Sequence, residues 1–184
     1  MAGRLGSMRQ RFRYLRPDLE RKAQRGFTLV ELVTVLILLG VLGAIAVPRF
    51  HDLGTEAHKA AVASTAGAFG SALNIANLAC TVRGWAGKDN LPGYGDGTVD
   101  FNPACFPTDT TGNANSIGSN NARCTRVWNA VLALAPTITT ATSGADYRAR
   151  ARNQVCTYSY LMDKSATRQF AYDSRNGHVV VTNP

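Results

Sequence analysis

The sequence predicts an α+β fold: a long N-terminal helix, apolar in its first half and amphipathic in its second, packed on a small antiparallel C-terminal sheet. Three observations carry this. A run of 21 residues, Phe27–Val47, holds a single charge, Glu31. Apolar residues then recur at helical spacing through residues 52–82, and the last thirty residues alternate at strand spacing.

Charge divides the 184 residues unevenly. The net charge is +8, with 20 Lys+Arg against 12 Asp+Glu. Residues 1–26 hold seven Arg, one Lys, one Asp and one Glu, so most of the excess is N-terminal. The body is nearly neutral, which argues against a whole-chain nucleic-acid binder. An apolar content of 45% excludes wholesale disorder.

At 1.5 Å per residue, the run from Phe27 to Val47 matches the ~30 Å hydrocarbon core of a bilayer. The basic block before it would stay cytoplasmic and send the rest outward. A plain anchor is one reading. A secretory signal cut near Ala44–Ala46 is a second, opposed by the length of the apolar run and the carboxylate in its first turn. A third explains Glu31. A charge at membrane depth costs roughly 2.5–3.5 kcal/mol and normally has a partner. Cleavage after Gly26 would give Phe27 a free α-amino group, on this chain or a neighbour, and a helix N-terminus itself favours a carboxylate.

The residues Arg25-Gly26-Phe27-Thr28-Leu29-Val30-Glu31-Leu32 resemble the leader junction of type IV prepilins and pseudopilins. The resemblance joins a basic leader, Gly, an aromatic, Glu and an uninterrupted apolar run. It implies a pilin-like fold and a leader, residues 1–26, removed by a membrane-embedded prepilin peptidase. It assigns Gly26 to cleavage, Phe27 to N-methylation and Glu31 to assembly. Met8 offers an alternative start to the leader. The resemblance also implies partners: the inner membrane for the precursor, with its head in the periplasm, then the pilus assembly machinery and a homopolymer or related pilins in an extracellular filament. Residues 27–51 would form the transmembrane and filament-core half of the helix, and 52–184 the head.

Pro48 cannot donate to the carbonyl of Ala44, so the helix should kink or loosen there; the alternative is a stop at the membrane surface. Gly40 and Gly43 weaken the same stretch. In the helix over 52–82, Val62, Ala66, Phe69, Leu73, Ala76 and Cys80 form one face, with Ala68, Ala72, Ile75 and Ala79 as a second row.

Residues 83–122 read as an irregular loop punctuated by Gly and Pro, functional or flexible. A short helix is expected over 124–135, with Val127, Trp128, Val131 and Leu132 on one side and Pro136 as its stop. Thr137–Gly144 is a second polar loop. Strands are expected within 154–183: Val155–Met162, with Cys156, Tyr158, Tyr160 and Met162 facing one way, then Arg168–Tyr172, the Asn176-Gly177 turn and His178–Thr182.

Cys80, Cys105, Cys124 and Cys156 all follow the apolar run, as disulfides in an oxidising compartment would. Three pairings are open. Cys80–Cys105 and Cys124–Cys156 are favoured because each ties an element to the nearest segment that needs holding. Each contributes about 3.5 kcal/mol in the chain-entropy account.

No catalytic constellation and no cofactor motif stands out, so an enzyme is not expected. His51 and His58 could share a helix face but lack further ligands for a metal. Asp89, Asp96, Asp100 and Asp109 read as solvated turn residues, with a calcium site as the alternative. Arg148, Arg150, Arg152, Lys164, Arg168 and Arg175 make the C-terminal region basic. On an extended chain the first three face one way, toward solvent, a neighbouring subunit's acids or DNA phosphates. The aromatics at strand spacing read as core.

Within the pilin resemblance, Cys124–Trp128 and Val155–Tyr158 look like the mannose-sensitive haemagglutinin (MSHA) branch, which implies surface attachment. A secretion pseudopilin or a minor or competence pilin is the alternative. From another class, an anchored or secreted domain could bind sugar or nucleic acid through its 85–121 loop without polymerising.

Overall fold

The computed structural model describes residues 26–112 and 115–183, apart from the side chains of 47–52. The chain forms two compact units, one ending at Ala44 and the other Ile45–Pro184. Helix α1 (Leu29–Val82) runs through both. Pro48 lies within α1, and its side-chain surroundings, like those of His51, fall outside the described residues. The leader expected over 1–26 lies outside them too, save Gly26.

In the first unit, Leu29–Ala46 is long and apolar enough to cross a membrane. The large apolar side chains from Leu29 to Ile45 are all exposed. A water-exposed face of this composition is unstable, so the segment requires lipid or other protein around it.

The second unit is built on the α1 stripe. Val62, Ala66, Phe69, Leu73, Ala76 and Cys80 are all buried, as their spacing predicts. The second row divides: Ala72 and Ala79 are half-buried, whereas Ile75 is 63% exposed. Phe69 is the hub of the core. Its ring lies 5.2–5.8 Å from those of Trp128, Tyr158, Phe170 and Tyr172, the range in which aromatic pairs attract. Each of the three polar aromatics finds a backbone acceptor. Trp128 Nε1 donates to Pro136 O, Tyr158 Oη to Cys124 O and Tyr172 Oη to Pro107 O.

Residues 83–120 are not simply irregular. Strands β1 (Asp100–Phe101) and β2 (Pro107–Asp109) pair antiparallel. Leu91, Val99, Phe101 and Cys105 close on Ala76 and Cys80 as a second small core. Isolated apolar residues among the glycines and prolines supply that core, and their separation hides them from a periodicity reading.

Helix α2 spans Asn121–Val131, starting and ending earlier than the 124–135 reading. Asn120 caps it, its side chain accepting from Ala122 N. Five strands follow: β3 (Ile138–Thr139), β4 (Tyr147–Arg152), β5 (Val155–Tyr160), β6 (Arg168–Asp173) and β7 (Val179–Thr182). They lie in that order in one sheet, antiparallel except for the parallel β3–β4 pair. The sheet therefore begins before residue 154. Strand β4 reads Tyr-Arg-Ala-Arg-Ala-Arg, a composition poor in strand formers; Tyr147 and Ala149 seat it on the core while its arginines face out. Met162 lies beyond β5 and is 47% exposed, rather than continuing its inward row.

Cys80 is joined to Cys105 and Cys124 to Cys156, the two pairs favoured from the sequence.

Candidate assembly site at the helix N-terminus

Gly26 and Phe27 precede α1 and are exposed, and a Cβ at Gly26 would meet nothing within 4 Å. The Gly26–Phe27 bond thus lies in open, non-helical chain beside a small residue, the setting that proteases prefer.

Thr28 and Glu31 close the first turn reciprocally. Thr28 Oγ1 accepts from Glu31 N at 3.2 Å. Glu31 Oε2 accepts from Thr28 N at 2.9 Å and from Thr28 Oγ1 at 3.0 Å. This is a capping box, Thr-x-x-Glu, which satisfies orphan donors of the helix end from its own side chains. The Thr-x-x-Glu pattern ahead of an apolar run is the sequence signature of such a cap. Both bonds use Oε2. Among the described residues Oε1 accepts nothing, so the carboxylate keeps one oxygen for a further donor.

Other sequence candidates fall elsewhere. His58 Nδ1 lies 3.4 Å from Tyr160 Oη, and His178 is exposed. Among the described residues no three His, Cys, Asp or Glu side chains gather as metal ligands. The loop aspartates are not all solvated turn residues. Asp96 is, holding Thr98 N and Oγ1. Asp100 and Asp109 are each 1% exposed. Asp100 accepts from Asn90 N. Asp109 is gripped by Arg126 Nε and Nη2, with Arg123 Nε 3.1 Å away. Burial opposes ionisation of Asp109, but the Arg126 hydrogen bond, the Thr110 amide and both guanidinium charges together hold its carboxyl below the ordinary value. These two aspartates fasten the loop to α2 and β1.

Comparison with known proteins bears on the N-terminal third. Residues 21–47 match the prokaryotic N-terminal methylation motif. Over this segment the chain is similar to type IV pilins. It is 52% identical over 54 residues to a type IV narrow pilus major component of Thermus thermophilus, covering 29% of this chain and 47% of that protein. It is 32% identical over 74 residues to the type IV major fimbrial protein FimA of Dichelobacter nodosus, 40% of this chain and 45% of the relative. A type II secretion system core protein G of Klebsiella michiganensis is 35% identical over 60 residues, 33% and 42% of the two chains. The chain spans about half the length of the curated relatives it matches. No solved structure matches it.

Proposed function

We propose that this protein is the structural subunit of a type IV pilus-like filament. The precursor is anchored by the apolar half of α1, cut after Gly26 by a prepilin peptidase and N-methylated at Phe27. It then polymerises through α1. The observation that carries this reading is the capping box at the head of an apolar helix, directly after an accessible Gly26–Phe27 bond.

The cap explains how a carboxylate is tolerated in lipid before assembly: its charge is met by two donors of its own turn. The free Oε1 then offers an acceptor to the Phe27 amine of an adjacent subunit, and that ion pair would set the register. Moving the apolar helix from lipid to a helical filament core costs little, since both surroundings are apolar. Pro48 would supply a place for the helix to loosen as it leaves the membrane. The head would lie in the periplasm before assembly and outside the cell after it. Two disulfides suit that oxidising compartment.

Surface attachment of the MSHA kind is the finer reading; it rests on Cys124–Trp128 and Val155–Tyr158. A secretion pseudopilin is the second reading, supported by the similarity to the secretion core protein. The deciding experiment is the intact mass and N-terminal sequence of the protein recovered from sheared cell-surface filaments. A methylated Phe27 start supports the filament reading. A start at Val47, in a soluble fraction, overturns it.

A further inference from the structure

The five-stranded sheet ends on β7, and among the described residues no strand pairs with its outer side. In an antiparallel pair, hydrogen bonding to the neighbour uses every second residue. Asp173 N donates to His178 O, so Val180 and Thr182, two and four residues further on, also turn toward β6. Val179 and Val181 therefore turn their amides and carbonyls outward. Among the described residues those groups have no backbone partner. Such an edge is a template for another strand, and folded proteins usually blunt it with charge, proline or a bulge. None of these interrupts Val179–Thr182, which is uncharged and β-branched throughout.

The core is also open along this edge. On β6, Phe170 and Tyr172 are fully buried, whereas Val181 and Val179 opposite them are only half-buried. The flank of α1 beside β7 gives little cover. A Cβ on Gly70 would meet Val179 Cγ2 at 3.8 Å. At helical spacing Ala63, Gly67 and Asn74 continue that flank, and all three are exposed. A Cβ on Gly67 would meet nothing within 4 Å. Edge and flank thus form a ledge, with backbone donors and acceptors on one wall and room for inward side chains on the other. Asn77, holding Ala104 O and Cys105 O, brings chain across one end of it. The charged residues of the flank, Glu56 and Lys59, pair with each other at 2.8 Å. The ledge therefore has no net charge to offer, and its complement is an uncharged segment.

We propose that β7 accepts an extended segment of another protein as an added strand. That segment is uncharged, with apolar side chains at alternate positions that fill the space over Ala63 and Gly67. Main-chain bonds to Val179 and Val181 supply affinity, and the ledge supplies specificity. A second β7 edge is a poor occupant. His58 meets Tyr160 and Phe69 meets Tyr158, so α1 runs against β5 and, two strands over, against β7. Antiparallel pairing of two such edges would reverse one α1 relative to the other. Two copies anchored in one membrane by the same end of α1 cannot do that. Only this exclusion rests on the anchoring proposed above. The edge itself lies in the head, so it stands or falls separately from the filament reading.

The test uses the full mature chain in detergent and a fluorescent peptide of alternating valine and threonine, carrying a charged tail for solubility. Anisotropy should report one peptide bound per chain, and hydrogen exchange should show the amides of Val179 and Val181 becoming protected. Val181→Pro should abolish binding. It removes an outward amide while sparing the bonds to β6, in which residue 181 takes no part. Gly67→Leu should also abolish binding, by filling the ledge, and should not lower the melting temperature, since leucine suits a helix better than glycine. Arg150→Gln, on β4, should bind the peptide as the unaltered chain does. Absence of free thiols and unchanged tryptophan emission would establish that the variants are folded. Unchanged binding by folded Val181→Pro overturns the proposal. So does binding that leaves the two amides unprotected, or no binding up to the solubility limit of the peptide. A dimer in sedimentation that excludes the peptide and dissociates on Val181→Pro would assign the edge to a second copy and overturn it as well.

Discussion

Glu31 illustrates how one side chain can serve two environments. In the isolated chain its Oε2 closes the cap with Thr28, while Oε1 is left for a second donor. The two roles separate by substitution. Glu31→Val removes both: membrane insertion should persist, because an apolar helix gains from the change, and filament yield should collapse. Thr28→Val removes only the hydroxyl, a capping loss of about 0.5–2 kcal/mol, and should lower filament yield less than Glu31→Val. Immunoblots of membrane and sheared-filament fractions read both outcomes. Normal filaments from Glu31→Val would end the assembly role. The sequence announced Glu31 plainly, because one charge in an apolar run needs an account. Its Thr28 partner was equally legible, as Thr-x-x-Glu before an apolar run. Asp100 and Asp109 were not: an aspartate in a Gly-rich loop looks solvated until tertiary packing brings Arg126 to it.

Elements differ in how far sequence determines them. The α1 stripe was readable because each residue of a 3.6-period helix face meets one continuous surface, and the spacing from Val62 to Cys80 repeats five times. Phe69 sits at the centre of that face, against four aromatic rings. Phe69→Ala should cost about 3–5 kcal/mol in denaturant unfolding, with loss of the near-ultraviolet aromatic signal. Strand β4 was not readable, because only Tyr147 and two alanines mark its inner side and its identity comes from pairing with β5. The 83–120 segment was hidden for a related reason: its core residues are brought together by the Cys80–Cys105 bond rather than by a period. Replacing both cysteines by serine should remove about 3.5 kcal/mol on the chain-entropy account. It should also open residues 85–105 to limited proteolysis while the Cys124–Cys156 bond persists. Protection of that segment in the double variant would mean that Leu91, Val99 and Phe101 hold it unaided.

At the scale of the whole head, stability depends on buried or half-buried carboxylates that fasten loops to the sheet and α2. Asp109 is held down in pKa by Arg126, Thr110 and Arg123 against the opposing effect of burial. Hydrogen bonds from Ser165 and Arg168 hold Asp163 well below its ordinary value, and the hydrogen bond from Arg175 lowers that of Asp173. A carboxyl with a depressed folded-state pKa adds stability in full above its unfolded pKa, about 3.9. The contribution is lost as pH falls toward the folded value. All three act in the same direction, so the melting temperature should be flat through neutral pH and fall steeply below about pH 4. The disulfides should remain closed throughout that fall, because thiol–disulfide exchange needs a thiolate, which acid suppresses. The acid form would then be a cross-linked head whose loops have detached, recoverable on neutralisation. Asp109→Asn distinguishes this from a general acid effect. It keeps the shape but not the charge, so it should lower the melting temperature at pH 7 and shrink the difference between pH 7 and pH 3. An undiminished acid transition in that variant would place the titrating groups elsewhere.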